Sequence, residues 1–187
     1  MRDRVAVAAI ALLLLATSAV SPSSRAQAPS ADSEELRRLM DEDQADRQSK
    51  SVDWSVVTPR DRARLARIKA LYGGGDIHTA NDYYRAALVL QHGEVPEDFQ
   101  LAHDFCVAAM MLGKNDLASA SLAAAAEDRF LMNIGRPQRF GTQFRSEGTG
   151  PLQLYAVSEG VADDLRRLMG VPPLSEAKAL EADLNKK

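Results

Sequence analysis

Apolar positions recur at helical spacing from about residue 34 to residue 134, alternate with polar ones between 140 and 156, and then return to helical spacing. Leu36, Leu39 and Met40 begin the pattern. Asp32 or Ser33 stands where a cap is needed, and Glu34 and Glu35 fall in the first turn, where the helix dipole favours negative charge. This predicts a helix running to about Gln48. Thr58-Pro59 predicts the start of a second helix, since a proline in the first turn forfeits no hydrogen bond, and Gly73-Gly74-Gly75 after Tyr72 predicts its end in a flexible turn. No strand precedes these glycines and no Lys-Ser or Lys-Thr follows them, which argues against a phosphate-cradling loop.

Three more helices are expected over residues 81–91, 96–112 and 115–134, with Gly93, Gly113 and Gly135 just beyond them, where a left-handed residue commonly stands. The link through Gly113-Lys114-Asn115 is so short that its two helices must form an antiparallel hairpin. Ala118, Ala120 and Ala123 to Ala126 make the last of them slim enough to be buried nearly all round. Phe140, Thr142 and Phe144, then Leu152, Leu154 and Ala156, alternate around a turn at residues 147–150, which predicts a small β-hairpin near residues 138–157. Ser158 can cap a helix through Met169 that stops at Gly170 and Pro172-Pro173, and a short amphipathic helix from Ser175 closes the chain. The fold class is therefore mostly α: antiparallel helix hairpins in one compact domain over residues 34–187, with one small β-hairpin.

The N-terminus changes where this domain is expected to work. Arg2 and Arg4 precede an apolar run of 16 residues, and small residues follow up to Ala26 and Ala28, which reads as an export signal over residues 1–28, cut after Ala26 or Ala28, with a leader over residues 29–33. The run is short against the roughly 20 residues needed to span a bilayer, so a periplasmic or secreted protein without a membrane anchor is expected. Cleavage removes three basic residues and one acidic one from the 23 and 26 of the whole chain, leaving a net charge of −5 and no electrostatic reason to expect nucleic acid or an anionic membrane as partner. Cys106 is the single cysteine, so no intrachain disulfide can form.

Several polar residues occupy apolar faces. Asp43 and Arg47 lie within about 30° of the centre of the first helix's inner face, at the i, i+4 spacing of an ion pair. Asp128 shares a side with Leu117, Ser121, Ala124 and Leu131 and needs a cation or several donors, for which Arg47, Arg129 and Arg139 are the available guanidinium partners. Gln91 falls between Tyr84 and Ala87 on an apolar side, and its amide calls for loop or backbone partners such as the 138–143 segment. His103 shares a stripe with Phe99, Cys106 and Met110 and reads as a core histidine, His92 stands at a helix end and His78 in a glycine loop. No pair of them has metal-ligand spacing, and Cys106 on an apolar face reads as inert. No metal or cofactor is expected.

Asp43-Gln44-Ala45-Asp46-Arg47 reads as D-Q-x-x-R, Asp128-Arg129 as D-R, and Gln138-Arg139-Phe140-Gly141-Thr142-Gln143 as Q-R-F/Y-G-T-Q, with Gln91-His92 between them. In these motifs the chain resembles a bacterial domain family of unknown activity, over about residues 34–175. The resemblance implies a mostly helical domain and places Trp54 as a packing aromatic. The alanine-rich hairpin also resembles, more loosely, one unit of a Sel1 or tetratricopeptide array.

Three functional readings remain open. In the first, a helical binding module presents Gln138, Arg139, Thr142 and Gln143, backed by Asp43, Arg47, Gln91, His92, Asp128 and Arg129, to a polar ligand, glycan, peptide or protein. In the second, an enzyme uses His92 or Asp128 as general base and Arg139 to stabilise negative charge. In the third, the polar cluster only pins the 138–143 loop to the helices.

Overall fold

The computed structural model describes residues 31–48, 51–146 and 150–186. The export signal and the first two residues of the leader lie outside the described residues. Among the described residues, seven helices and a two-stranded sheet follow one another as α1 (Glu34–Ala45), α2 (Trp54–Gly74), α3 (Ala80–Leu90), α4 (Pro96–Met111), α5 (Leu117–Asn133), β1 (Phe144–Arg145), β2 (Gln153–Leu154), α6 (Asp163–Leu168) and α7 (Leu174–Leu184). The mostly helical architecture with its small antiparallel hairpin is as the periodicity predicts.

Capping explains where the helices begin. Ser33 accepts the Leu36 N–H at the start of α1, and Thr79 and Asp82 form a reciprocal capping box at the start of α3. Asp82, buried, also accepts the Ser33 N–H at 2.8 Å, so one carboxylate ties the first turns of α1 and α3 together. α1 ends at Ala45, three residues short of expectation, because the Arg47 and Gln48 N–H groups turn to the Gln44 and Ala45 carbonyls. α2 begins at Trp54, four residues before Thr58, capped by Asp53. Pro59 thus sits in the second turn, where its missing N–H would have met the carbonyl of exposed Ser55. Gly73 and Gly74 continue this helix, and only Gly75 (φ 76°) adopts the left-handed cap.

α3, α4 and α5 pack in succession, α4 and α5 as an antiparallel hairpin turned at Gly113, while α1 and α2 lie against α3. Leu36, Ile68, Leu90, Phe105, Cys106 and Ala123 belong to the main core, with Tyr72 and Tyr83 edge-on to Phe105. From Ser119 to Met132 no residue of α5 is exposed, although Leu117 and Ala118 at its start are. His103 is half-buried and lies 3.5 Å from Asp104, so it borders the core and does not fill it. Gly93 does not adopt a left-handed conformation; a Cβ there would overlap the side chain of Asp98, so glycine is needed for close approach.

β1 and β2 pair Phe144 with Leu154 and Arg145 with Gln153, and Gln138 bridges in parallel to Val157. That bridge redirects Ser158: its N–H and hydroxyl both donate to the Gln138 carbonyl, at 2.8 and 3.2 Å. Ser158 is therefore not a helix cap, and α6 starts later, at Asp163, with no side-chain cap. Phe140, Val171 and Ala124 form a second, smaller apolar cluster beneath the loop. No helix among the described residues is long and apolar enough to cross a membrane.

Candidate functional site

The end of α1 and the inner face of α2 hold a chain of alternating charges. Asp43, fully buried, accepts Arg47 Nη1 at 3.0 Å, Gln44 Nε2 at 2.8 Å and meets His92 Nδ1 at 3.0 Å. Arg47 Nη2 continues to Asp61 Oδ2 at 2.6 Å, and the other Asp61 oxygen accepts Arg64 Nη2 at 2.6 Å. Arg64 also reaches Asp46 at 2.8 Å. Burial alone would lower the Arg64 pKa, but the bonds to Asp61 and Asp46 and the Asp43 charge hold it above the ordinary value. The i, i+4 pair expected in α1 is formed, and α2 extends it into a network.

A second arrangement fixes the loop after α5. Asp128 is fully buried and accepts the backbone N–H groups of Arg139 at 2.6 Å, Phe140 at 2.9 Å and Thr142 at 3.0 Å, together with the Thr142 hydroxyl at 2.8 Å. The expected guanidinium partners are absent from it. Arg47 goes to Asp43 and Asp61, Arg139 to Glu127 at 2.6 Å, and Arg129 to Gln91 and Gln143. Backbone donors are already desolvated and aimed at the carboxylate by the loop, so they satisfy it without ordering a long side chain. Gln138, also fully buried, binds the backbone of Gln143 and Tyr155. Arg166 Nη1 donates to the Phe140 carbonyl from α6.

Between these two arrangements lies a solvent-reaching cleft of about 480 Å³. Arg47, Gln91, His92, Arg129 and Gln143 line it, and Asp43 stands behind His92 and Arg47. Asp128 and Gln138 are buried in the loop mount, and Arg139 is half exposed beyond it, over the Phe140 ring. Thr142 joins both regions, donating to Asp128 while accepting Gln143 Nε2 at 2.9 Å. It also lines a more apolar groove with Tyr84, Leu88, Phe144, Val171 and Leu180, which shares Gln91 with the cleft.

The cleft also contains residues that the sequence does not single out. Asp61, Arg62, Glu94 and Asn133 line it, as does Trp54, which is 59% exposed and is no packing aromatic. Asp61 and Arg64 share the phase of Val57, Leu65, Ile68 and Leu71 on α2, the same signal that marks Asp43 and Arg47 on α1.

Arg129 is the unusual member. Nη1 donates to the Gln91 carbonyl and Nε to Gln143 Oε1 at 3.0 Å, so both acceptors are neutral. Burial, and after it the nearby Arg47 charge, lowers its pKa below the ordinary guanidinium value. His92 presents an imidazole to the cleft with a buried carboxylate behind it, an arrangement suited to orienting one ring nitrogen toward a bound group. Among the described residues no cluster of three or more His, Cys, Asp or Glu side chains is placed to hold a metal ion. Cys106 is buried in the core, where desolvation pushes its thiol up to about 12. No family model, curated protein or solved structure matches the chain.

Proposed function

We propose that this is an exported, non-catalytic binding module that takes a polar ligand into the cleft between the end of α1, α2, the turn after α3 and the C-terminal half of α5. The observation that carries this reading is the cleft wall itself, where Arg47, Gln91, His92, Arg129 and Gln143 converge from four separate segments. The volume is that of a small-molecule site. The wall is also pre-set: Gln143 is held by Arg129 through its oxygen and by Thr142 through its nitrogen, and Thr142 in turn is fixed by Asp128. A ligand there would meet donors that need little ordering on binding. In this reading the loop mount of Asp128 and Gln138 positions Gln143 and does not itself touch the ligand.

Thermal-shift screening of wild type and Gln143→Ala against neutral and charged polar compounds tests the proposal. A compound that stabilises wild type and fails to stabilise an otherwise folded Gln143→Ala supports it. Compounds that stabilise both proteins equally place binding elsewhere and sink it.

The His92–Asp43 contact favours a second reading, in which His92 is a general base oriented by Asp43 and the anion stabiliser is Arg129, since Arg139 lies outside the cleft. Turnover lost in His92→Gln, with ligand binding retained, would replace the binding module by this enzyme.

A further inference from the structure

The charges of the cleft wall do not balance locally. Arg47 is neutralised by Asp43 and Asp61, and Arg62 by Glu94 at 2.8 Å. Arg129 meets no carboxylate within ion-pair distance among the described residues, and its Nη2 donates to none of their groups. Withdrawing a guanidinium from water without a counter-charge costs free energy, and two neutral acceptors recover only part of it. Its position beside Arg47 adds repulsion. A folded protein that keeps such a group on the wall of an open cleft holds a ready site for an anion.

The same wall limits which anion fits. Among the described residues that line the cleft, one positive charge lacks a carboxylate partner, and Asp61 and Glu94 line it as well, so a dianion such as a phosphate ester would meet about twice the repulsion that a monoanion does. A carboxylate also matches the planar fork of a guanidinium. Apolar contact is supplied by Trp54, Phe99, Leu65 and Met132 on the cleft lining, with Trp54 more than half exposed. An exposed indole and a half-buried cation lining the same cleft suit a molecule that is apolar at one end and charged at the other.

We infer that the cleft takes a monoanionic organic carboxylate bearing an apolar or aromatic arm, its carboxylate on Arg129 and its arm against Trp54. This rests on the cleft being a polar-ligand site. The carboxylate has two sources with one chemistry, a free small acid or the C-terminus of a peptide.

Trp54 is the chain's single tryptophan, so its fluorescence reports on the cleft without labelling. Titrating phenylacetate into the exported form of the chain shifts Trp54 emission saturably, while phenylacetamide at the same concentrations does not. Arg129→Gln weakens phenylacetate by about tenfold or more, the loss expected for a charge-assisted bond, and Arg129→Lys by less because charge is kept while the fork is lost. Trp54→Ala, an exposed change that leaves the fold intact even if the Arg129 variants do not, weakens phenylacetate in calorimetry and leaves acetate unaffected. N-acetyl-glycyl-phenylalanine binding more tightly than phenylacetate assigns the peptide terminus, and the reverse order assigns the free acid. Equal responses to phenylacetate and phenylacetamide, or no response to either acid, overturn the carboxylate assignment. If acetamide or glucose still moves Trp54, the cleft remains a polar-ligand site; if no probe does, both readings fail.

Discussion

Thr142 binds Asp128 twice, through its backbone N–H at 3.0 Å and its hydroxyl at 2.8 Å, both on the same carboxylate oxygen. A helix side chain thereby dictates the course of a loop that begins several residues after the helix ends. Asp128→Asn keeps the volume but turns one acceptor into a donor facing backbone N–H groups. It should cost about 2–4 kcal/mol, since buried donors lose a charged acceptor. Thr142→Val removes only the hydroxyl and should cost about 1 kcal/mol. Chemical denaturation measures both; equal losses for the two variants would contradict this account of the loop.

Asp61 serves two arginines, one oxygen each, at 2.6 Å. Asp61→Asn removes one of the two carboxylates on each arginine, leaving Arg47 on Asp43 and Arg64 on Asp46, and should destabilise by about 2 kcal/mol, the loss of charged hydrogen bonds in a partly buried setting. Because the charges are shielded from solvent, the loss should change little between low and high salt. A variant as stable as wild type would mean that water, and not Asp61, solvates Arg47 and Arg64.

Acid should weaken the fold through its capping and surface carboxylates. Lys114 and Ser119 hold Asp116 down to about 2, Thr79 and Asn81 lower Asp32, and Arg67 lowers Glu35. These groups bind protons less tightly folded than unfolded, so their contribution is complete above about pH 5 and is lost as pH falls toward about 2. Melting temperatures between pH 6 and pH 2 should fall accordingly. Asp116→Asn keeps a capping acceptor that does not titrate, and its curve should descend less steeply.

Cys106 should be inert in the folded protein, because burial pushes its thiol up to about 12 and leaves almost no thiolate at neutral pH. A thiol reagent such as Ellman's should react with one equivalent only after denaturant is added. Rapid reaction of the native protein would show that α4 opens locally.

Gly93→Ala should destabilise by about 1–3 kcal/mol, as overpacking does, because the new Cβ displaces Asp98 at the start of α4. Gly93 also lines the cleft, so the same change should weaken any ligand bound there. Measuring stability and binding on one sample separates the two effects.

The sequence shows the helices and the inward turn of Asp43 and Arg47 because both follow from a local repeat, in which a charged residue in apolar phase is visible without its neighbours. It shows less where the decisive partner carries no side-chain signature. Asp128 is visibly misplaced on an apolar face, yet its partners are backbone N–H groups that any residues but proline at 139 and 140 would supply. Trp54 has the same letters around it whether it faces the core or the rim of a cleft, since only the packing of α2 against the rest decides its exposure. Pro59 misleads for a physical reason: it is tolerated in the second turn because the carbonyl it leaves unpaired faces solvent.

Gln138 behaves as a stray peptide unit. Its Nε2 donates to the Gln143 and Tyr155 carbonyls at 3.0 and 2.8 Å, and its Oε1 accepts the Gln143 N–H at 2.9 Å. Glutamate has the reach but no N–H, lysine and arginine have donors but no acceptor, and asparagine is one methylene short. Position 138 is thus a slot that one letter of the amino-acid alphabet fills, whereas its neighbour Arg139, whose side chain leaves the mount for Glu127, can take any residue but proline without moving the loop.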